Sequence, residues 1–108
     1  MIPQLGPAEL LKWRADARRA PPLLIDVREP WEFDYCRIDG SVSIPLGQLP
    51  RRLDEVPQDQ PLVMVCHHGH RSMHAAAFLR HHGFVQVHNL RGGVEEWAAE
   101  VEPTMKRY

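Results

Sequence analysis

The chain has 108 residues, a hydrophobic content of 44% and a formal net charge of −1 at pH 7. This length suits one domain with one core, and the charge gives no electrostatic basis for binding nucleic acid or an anionic membrane. No apolar stretch reaches the roughly twenty residues of a membrane-spanning helix.

Residues 1–4 lack the basic and apolar regions of a signal peptide, so we expect no such peptide. Cys36 and Cys66 are the two cysteines of the chain, too few for a disulfide scaffold. A soluble protein in the reducing environment of the cytoplasm is therefore expected, with Cys66 as a free thiol.

The predicted elements alternate between helices and strands. The first helix begins at Pro7 and continues toward Pro21-Pro22, with Leu10, Trp13 and Ala17 on one face. Strands are predicted at residues 23–27, 42–44, 62–65 and 85–88. Helical segments are predicted at residues 30–33, 46–53, 71–82 and 94–99. This alternation is typical of an α/β fold with a mostly parallel sheet.

The apolar run that ends at Cys66 is the most informative segment. A short loop follows it and leads into an alanine-rich helical pattern, which places one thiol at the carboxyl end of a buried strand. Ligands bind at this end of open α/β sheets, and the free N–H groups of such a turn can hold an anion. A thiol beside these donors should ionise more easily than one in solution. The sequence therefore predicts that Cys66 is a nucleophile, with a passive buried cysteine as the alternative.

Three blocks of sequence resemble the rhodanese-like domains from about Gly6 to about Ala99. They are residues 26–33 with 38–46, residues 66–72, and residues 83–93 with Trp97. The resemblance implies one rhodanese-like domain over residues 1–108, with a core at about 6–99. It also implies a rhodanese-like fold, in which a five-stranded, mostly parallel sheet is flanked by helices on both faces.

The resemblance further implies a thiosulfate sulfurtransferase. In that family the loop cysteine takes a sulfane sulfur from thiosulfate or a similar donor and becomes a persulfide. A thiophilic acceptor then removes the sulfur: cyanide, or a thiol such as that of glutathione or thioredoxin. No metal or organic cofactor is implied, and neither is a nucleic-acid or membrane partner.

The predicted site consists of Cys66 and the residues after it. Cys66 is the predicted catalytic residue, and the predicted substrate-binding residues are His67, His68, Gly69, His70, Arg71 and Ser72. Backbone amides of residues 67–71 would stabilise anions. A cation at a helix N-terminus opposes the macrodipole, so an anionic partner would explain Arg71 at this position. We therefore expect Arg71 to bind the oxygens of the sulfur donor. His67 and His70 would line the mouth of the site and dock an anionic donor below neutral pH.

Two further features lie outside this loop. Asp26 and Arg28 follow a central strand at the same sheet edge as Cys66, and the resemblance gives them a supporting role, with a surface ion pair as the alternative for Arg28. Cys36 stands where related domains usually carry glycine, so we expect an altered local turn. It is either a passive substitution or a second thiol that resolves the persulfide or pairs with Cys66.

The loop length separates the alternative functions. Four residues lie between Cys66 and Arg71, as in the sulfurtransferase loop, whereas phosphatases and arsenate reductases of similar fold carry a longer loop that suits a tetrahedral anion. A persulfide carrier that receives its sulfur from a partner protein stays an alternative function. An inert regulatory domain is disfavoured, because such domains usually lack the cysteine. No metal site is expected at the loop histidines or His74, because side chains on an anion-binding loop point away from each other.

Overall fold

A computed structural model describes residues 1–108 as an α/β fold with one five-stranded sheet. The strands are β1 (Gln4–Leu5), β2 (Leu23–Asp26), β3 (Val42–Ser43), β4 (Leu62–Val65) and β5 (Val87–Leu90). The helices are α1 (Pro7–Ala15), α2 (Pro30–Tyr35), α3 (His70–His81) and α4 (Gly93–Glu100), with a 3₁₀ segment at Leu46–Glu55. None of these helices has the length and apolar character needed to cross a lipid bilayer.

The sheet has the strand order β1-β5-β4-β2-β3, and every neighbouring pair is parallel. β4 lies at its centre, and all four of its residues are buried, as expected for a strand covered on both faces. The predicted fold class is confirmed, and the predicted bounds of this strand agree with the structure. Cys66, the next residue, therefore lies at the middle of the carboxyl edge of the sheet.

Helices cover both faces of the sheet, as predicted. Alternate strand residues point to opposite faces, and two hydrophobic clusters result. On one face, α1 and α4 pack on the sheet through Leu10, Trp13, Val94 and Trp97. On the other face, α3 and the 3₁₀ segment pack through Ala75, Ala76, Leu79 and Leu49, and this cluster includes Cys66.

The first helix is shorter than predicted. α1 ends at Ala15, and Ala17 is exposed outside it. Asp16 leaves the helical conformation, and its carboxylate accepts a hydrogen bond from the Arg18 N–H at 3.0 Å. This local turn competes with the helix, as is usual for aspartate.

Two strand predictions also differ from the structure. β1 was not predicted, because two residues carry no periodic signal; it forms by pairing with Asn89 and Leu90. The last strand begins at Val87 rather than Val85, which is 73% exposed. The pairing of β5 with β4 starts where the Leu62 N–H donates to the Gln86 carbonyl. Val85 therefore lies outside the sheet.

Arg28 and Asp26 form a buried ion pair, so the surface alternative for Arg28 is wrong. Both side chains are fully buried, and the Arg28 Nη2 to Asp26 Oδ2 distance is 2.7 Å. The same guanidinium donates to the Cys36 carbonyl at 2.6 Å. The pair thus joins the end of β2 to the end of α2, because Cys36 directly follows that helix.

Arg28→Met should strongly destabilise the fold, because it leaves Asp26 buried without its partner. We expect a loss of about 3–5 kcal/mol in the free energy of unfolding, measured by urea denaturation. The control is Arg52→Met, which removes an ion pair with Glu55 at the surface and should cost far less, because water screens exposed pairs. Equal losses in the two variants would contradict this view of the buried pair.

Candidate active site

Cys66 lies at the floor of a short loop between β4 and α3. The residue is 1% exposed, and its Sγ accepts a hydrogen bond from the Gly69 N–H at 3.1 Å. Gly69 has φ +102°, a left-handed conformation that suits glycine. The N–H groups of His68, His70 and Arg71 donate to no acceptor in the protein. The loop therefore carries free amide donors beside a buried sulfur.

The start of α4 holds this loop from the outside. The Val94 N–H donates to the Cys66 carbonyl at 2.9 Å, and the Glu95 N–H donates to the His67 carbonyl at 3.1 Å. Gly93 lies against these two carbonyl groups, and a Cβ atom at this position would overlap both oxygens. A glycine is thus required where the helix meets the loop.

Ser72 and Asn89 lie next to the Cys66 sulfur inside the protein. The Ser72 Oγ is 3.3 Å from the Cys66 Sγ and 2.5 Å from the Asn89 Oδ1. All three residues are almost completely buried. Sequence analysis did not single out Asn89 as a site residue. It lies in register with Met64, but its neighbour His88 is also polar, so no pattern marked it.

Arg71 is held by a carboxylate that sequence analysis missed. Its Nη1 and Nη2 donate to Glu32 Oε1 and Oε2 at 2.7 and 2.9 Å, and the bonds to Glu32 raise the pKa of Arg71. Glu32, on α2, is buried. Burial alone would raise the pKa of Glu32, but hydrogen bonds from Arg71, Tyr108 and the Glu29 N–H lower it to about 2.

Tyr108 connects this pair to the buried ion pair of β2. Its hydroxyl donates to Glu32 Oε2 at 2.6 Å and accepts from Arg28 Nη1 at 2.9 Å. Burial and then the bond to Glu32 raise the pKa of Tyr108 to about 12, so the hydroxyl keeps its proton. A continuous network therefore runs from Asp26 and Arg28 through Tyr108 and Glu32 to Arg71.

His67 is stacked between two other rings at the loop. Its ring centroid lies 3.9 Å from that of His68 and 3.9 Å from that of Tyr108. Burial, followed by the charge of His68, lowers the pKa of His67. Its Nε2 is buried and lies 3.5 Å from Glu95 Oε1 without forming a hydrogen bond. His70, by contrast, is exposed at the start of α3.

The family model described as Rhodanese-like domain matches residues 6–100. The chain belongs to the rhodanese-like family.

Two relatives and one solved structure show what this rhodanese-like chain is similar to. Thiosulfate sulfurtransferase GlpE of Stutzerimonas stutzeri is 39% identical over 80 residues, which cover 74% of this chain and 73% of the relative. YrkF of Bacillus subtilis, provisionally named a sulfur carrier protein, is 34% identical over 101 residues, which cover 94% of this chain and 54% of YrkF. Reduced Bacillus anthracis CoADR-RHD superposes with a TM-score of 0.85 at 31% identity, covering 98% of this chain and 18% of that one.

Cys36 has an ordinary backbone conformation after α2. Its φ is −158°, which is extended and needs no glycine. Both cysteines are free, and they belong to hydrophobic clusters on opposite faces of the sheet. This separation favours the passive alternative for Cys36 over pairing with Cys66.

The histidines of this rhodanese-like loop do not converge. His67 and His68 stack on each other, and nowhere do three or more His, Cys, Asp or Glu side chains come together as they would around a metal ion. The loop offers hydrogen-bond donors to an anion rather than a ligand set to a cation.

The pKa of Glu32 predicts how stability depends on pH. Because this pKa falls from 4.5 to about 2 on folding, the charged carboxylate contributes stability above about pH 5, and the contribution disappears as the pH falls toward about 2. Urea unfolding should show Glu32→Gln to be less stable than wild type by about 3 kcal/mol at neutral pH, with a smaller difference at about pH 3. The exposed Glu55→Gln is the control. A Glu32 difference that is the same at both pH values would refute this.

Proposed function

We propose that this protein transfers a sulfane sulfur from thiosulfate or a similar donor to a thiophilic acceptor through a persulfide on Cys66. The observation that carries the proposal is the buried Cys66 sulfur at 3.1 Å from the Gly69 N–H, in a loop with further free amides. Membership in the rhodanese-like family supports it, as does similarity to a relative named thiosulfate sulfurtransferase. The proposed unit is one domain with its core at about residues 6–99.

In the first step, the Cys66 thiolate attacks the outer sulfur of thiosulfate. A sulfur–sulfur bond forms to Cys66, the sulfur–sulfur bond of the donor breaks, and sulfite leaves with that electron pair. Negative charge therefore moves from Cys66 to the leaving sulfite, while the transferred outer sulfur keeps the charge that it had in thiosulfate. Preorganised N–H donors stabilise such charge, and removal of one typically costs about 3 kcal/mol. Gly69 and the amides of His68, His70 and Arg71 supply the donors.

In the second step, the acceptor attacks the outer sulfur of the persulfide. Cyanide leaves as thiocyanate, or a thiolate leaves as a new persulfide, and the electron pair of the broken bond returns to Cys66. The Gly69 N–H stabilises the thiolate that forms. Two displacements at one nucleophile constitute covalent catalysis with ping-pong kinetics, and they require no cofactor.

Arg71 supplies direction more than net charge in this proposal. Its guanidinium has five N–H donors, and Glu32 uses two of them. Three N–H groups of Arg71 stay available to the oxygens of thiosulfate, while the charge of Glu32 offsets that of Arg71. The buried support from Asp26 and Arg28 keeps this arrangement in place. Ser72 would contribute its hydroxyl at the sulfur.

A persulfide carrier fed by a partner protein is the second candidate. The name of YrkF favours it, and kinetics with small donors would distinguish the two. The four-residue loop gives less support to phosphatase or arsenate reductase chemistry. Glutathione or thioredoxin would suit as cellular acceptor, and we place the protein in the cytoplasm because a reducing compartment keeps both cysteines free.

Intact mass spectrometry after incubation with thiosulfate tests the proposed intermediate. Wild type should gain one sulfur atom that reductant removes, and Cys36→Ser should gain it equally. Cys66→Ser should gain none, because it lacks the nucleophile. No gain in wild type would exclude thiosulfate as donor and favour the carrier function; a gain in Cys66→Ser would place the persulfide elsewhere.

The role of His67 is tested by the ratio of kcat/KM for thiosulfate between wild type and His67→Ala. Because the pKa of His67 lies below its ordinary 6.5, its charge and any attraction for the anionic donor appear only at acidic pH. The ratio should therefore rise as the pH falls from about 7 to about 5.5, while the exposed His70→Ala shows a smaller change. A constant His67 ratio would remove this histidine from donor binding.

A further inference from the structure

We infer that Asn89 is a positioning residue that controls, through the Ser72 hydroxyl, whether the Cys66 sulfur holds its proton. Asn89 makes no hydrogen bond to the sulfur; it binds the Ser72 hydroxyl, which lies 3.3 Å from the sulfur. The inference deepens the proposed function and rests on Cys66 being the reacting thiol. It concerns hydrogen bonds among three residues that are each at most 1% exposed.

A count of hydrogens gives the direction of each bond. The Asn89 Nδ2 donates to the Gly69 carbonyl at 3.2 Å and to Gln4 Oε1 at 3.1 Å, which uses both amide hydrogens. The Asn89 Oδ1 can only accept, and it lies 2.5 Å from the Ser72 Oγ. A serine hydroxyl has one hydrogen. That hydrogen therefore points to Asn89.

The same count gives the direction of the bond between Cys66 and Ser72 while Cys66 is a thiol. Either atom could donate across the 3.3 Å between Cys66 Sγ and Ser72 Oγ, but the serine hydrogen is already used by Asn89. The thiol therefore donates S–H to the Ser72 oxygen. This arrangement satisfies every hydrogen while Cys66 is neutral.

Ionisation forces a rearrangement. When the thiol gives its proton to solvent base, the sulfur can only accept, so the Ser72 hydroxyl must rotate from Asn89 to the thiolate. The Asn89 Oδ1 then loses its donor in a site where water does not reach it, and an unsatisfied buried acceptor is costly. In the persulfide the Cys66 Sγ has no hydrogen and the charge lies on the outer sulfur, so the hydroxyl can stay on Asn89. Asn89 thus favours the thiol and the persulfide over the free thiolate.

Other charges around the loop contribute to the same ionisation and must stay constant. They are His67, His68 and Arg71 on the loop side, Glu32 on α2, Glu95 on α4, and Tyr108. None of these side chains is hydrogen-bonded to Ser72 or Asn89. Variants at those two positions therefore remove no hydrogen bond made by these charged groups.

The test is the pH dependence of Cys66 alkylation by iodoacetamide, followed by mass spectrometry in a Cys36→Ser background. Asn89→Ala frees the Ser72 hydroxyl for the thiolate, so the midpoint should move to lower pH and the rate at about pH 6 should rise about tenfold. In a Ser72→Ala background the same substitution should have no such effect. Gln4→Ala, which removes a partner of Asn89 Nδ2 only, is the control and should match the parent.

An unchanged or higher midpoint in Asn89→Ala would overturn the inference, as would an equal effect in the Ser72→Ala background. If Asn89→Ala does not fold, NMR of the Cys36→Ser protein decides. The Asn89 carboxamide carbon should titrate with the Cys66 Cβ, and this titration should disappear in Ser72→Ala; its persistence there would overturn the inference. Neither assay contains a sulfur donor, so a failure of sulfur transfer is a separate result.

Discussion

The close contact between Gly93 and the carbonyl groups of Cys66 and His67 is the constraint on which the site depends. The first free N–H groups of α4, from Val94 and Glu95, bind those two carbonyls. In a trans peptide the carbonyl and the following N–H point in opposite directions. Fixing both carbonyls toward α4 therefore turns the N–H groups of His67 and His68 away from it. A side chain at Gly93 would push the helix off the loop.

A second layer of support keeps the charged groups of the loop in place. Asp26 and Arg28 are fully buried, and Tyr108 connects them to Glu32, which holds Arg71. A buried ion pair is weak support for stability in general, because desolvation offsets much of the attraction. Here the role of the ion pair is geometric, because the hydrogen bonds that start from it reach from the sheet to the loop. Tyr108 lies beyond the matched family range of 6–100.

The sequence was sufficient for the features that depend on local pattern. The buried run before Cys66 predicted β4 and the position of the thiol, because a parallel central strand is apolar throughout and its carboxyl end leads to a loop. Gly83 marked the end of α3 through its left-handed conformation, with φ +93°. The α/β class followed from the alternation of elements, and the loop spacing followed from direct counting.

The polar partners of the site could not be predicted in the same way. Arg71 meets Glu32, Ser72 meets Asn89, and Tyr108 meets Arg28, all across long separations in sequence. Periodicity states which face of an element is apolar, but it does not state which distant polar groups will pair there. The same reason explains why a surface position stayed open for Arg28, whose burial depends on the end of α2 and on Tyr108.

The central claim is that sulfur passes through a covalent intermediate on Cys66. The most direct measurement is the sulfite released in a single turnover with excess thiosulfate and no acceptor. The covalent account predicts one sulfite per Cys66 before any acceptor is added, and none from Cys66→Ser. Sulfite that appears only when cyanide or a thiol is present would contradict it, because the acceptor would then react directly with the bound donor.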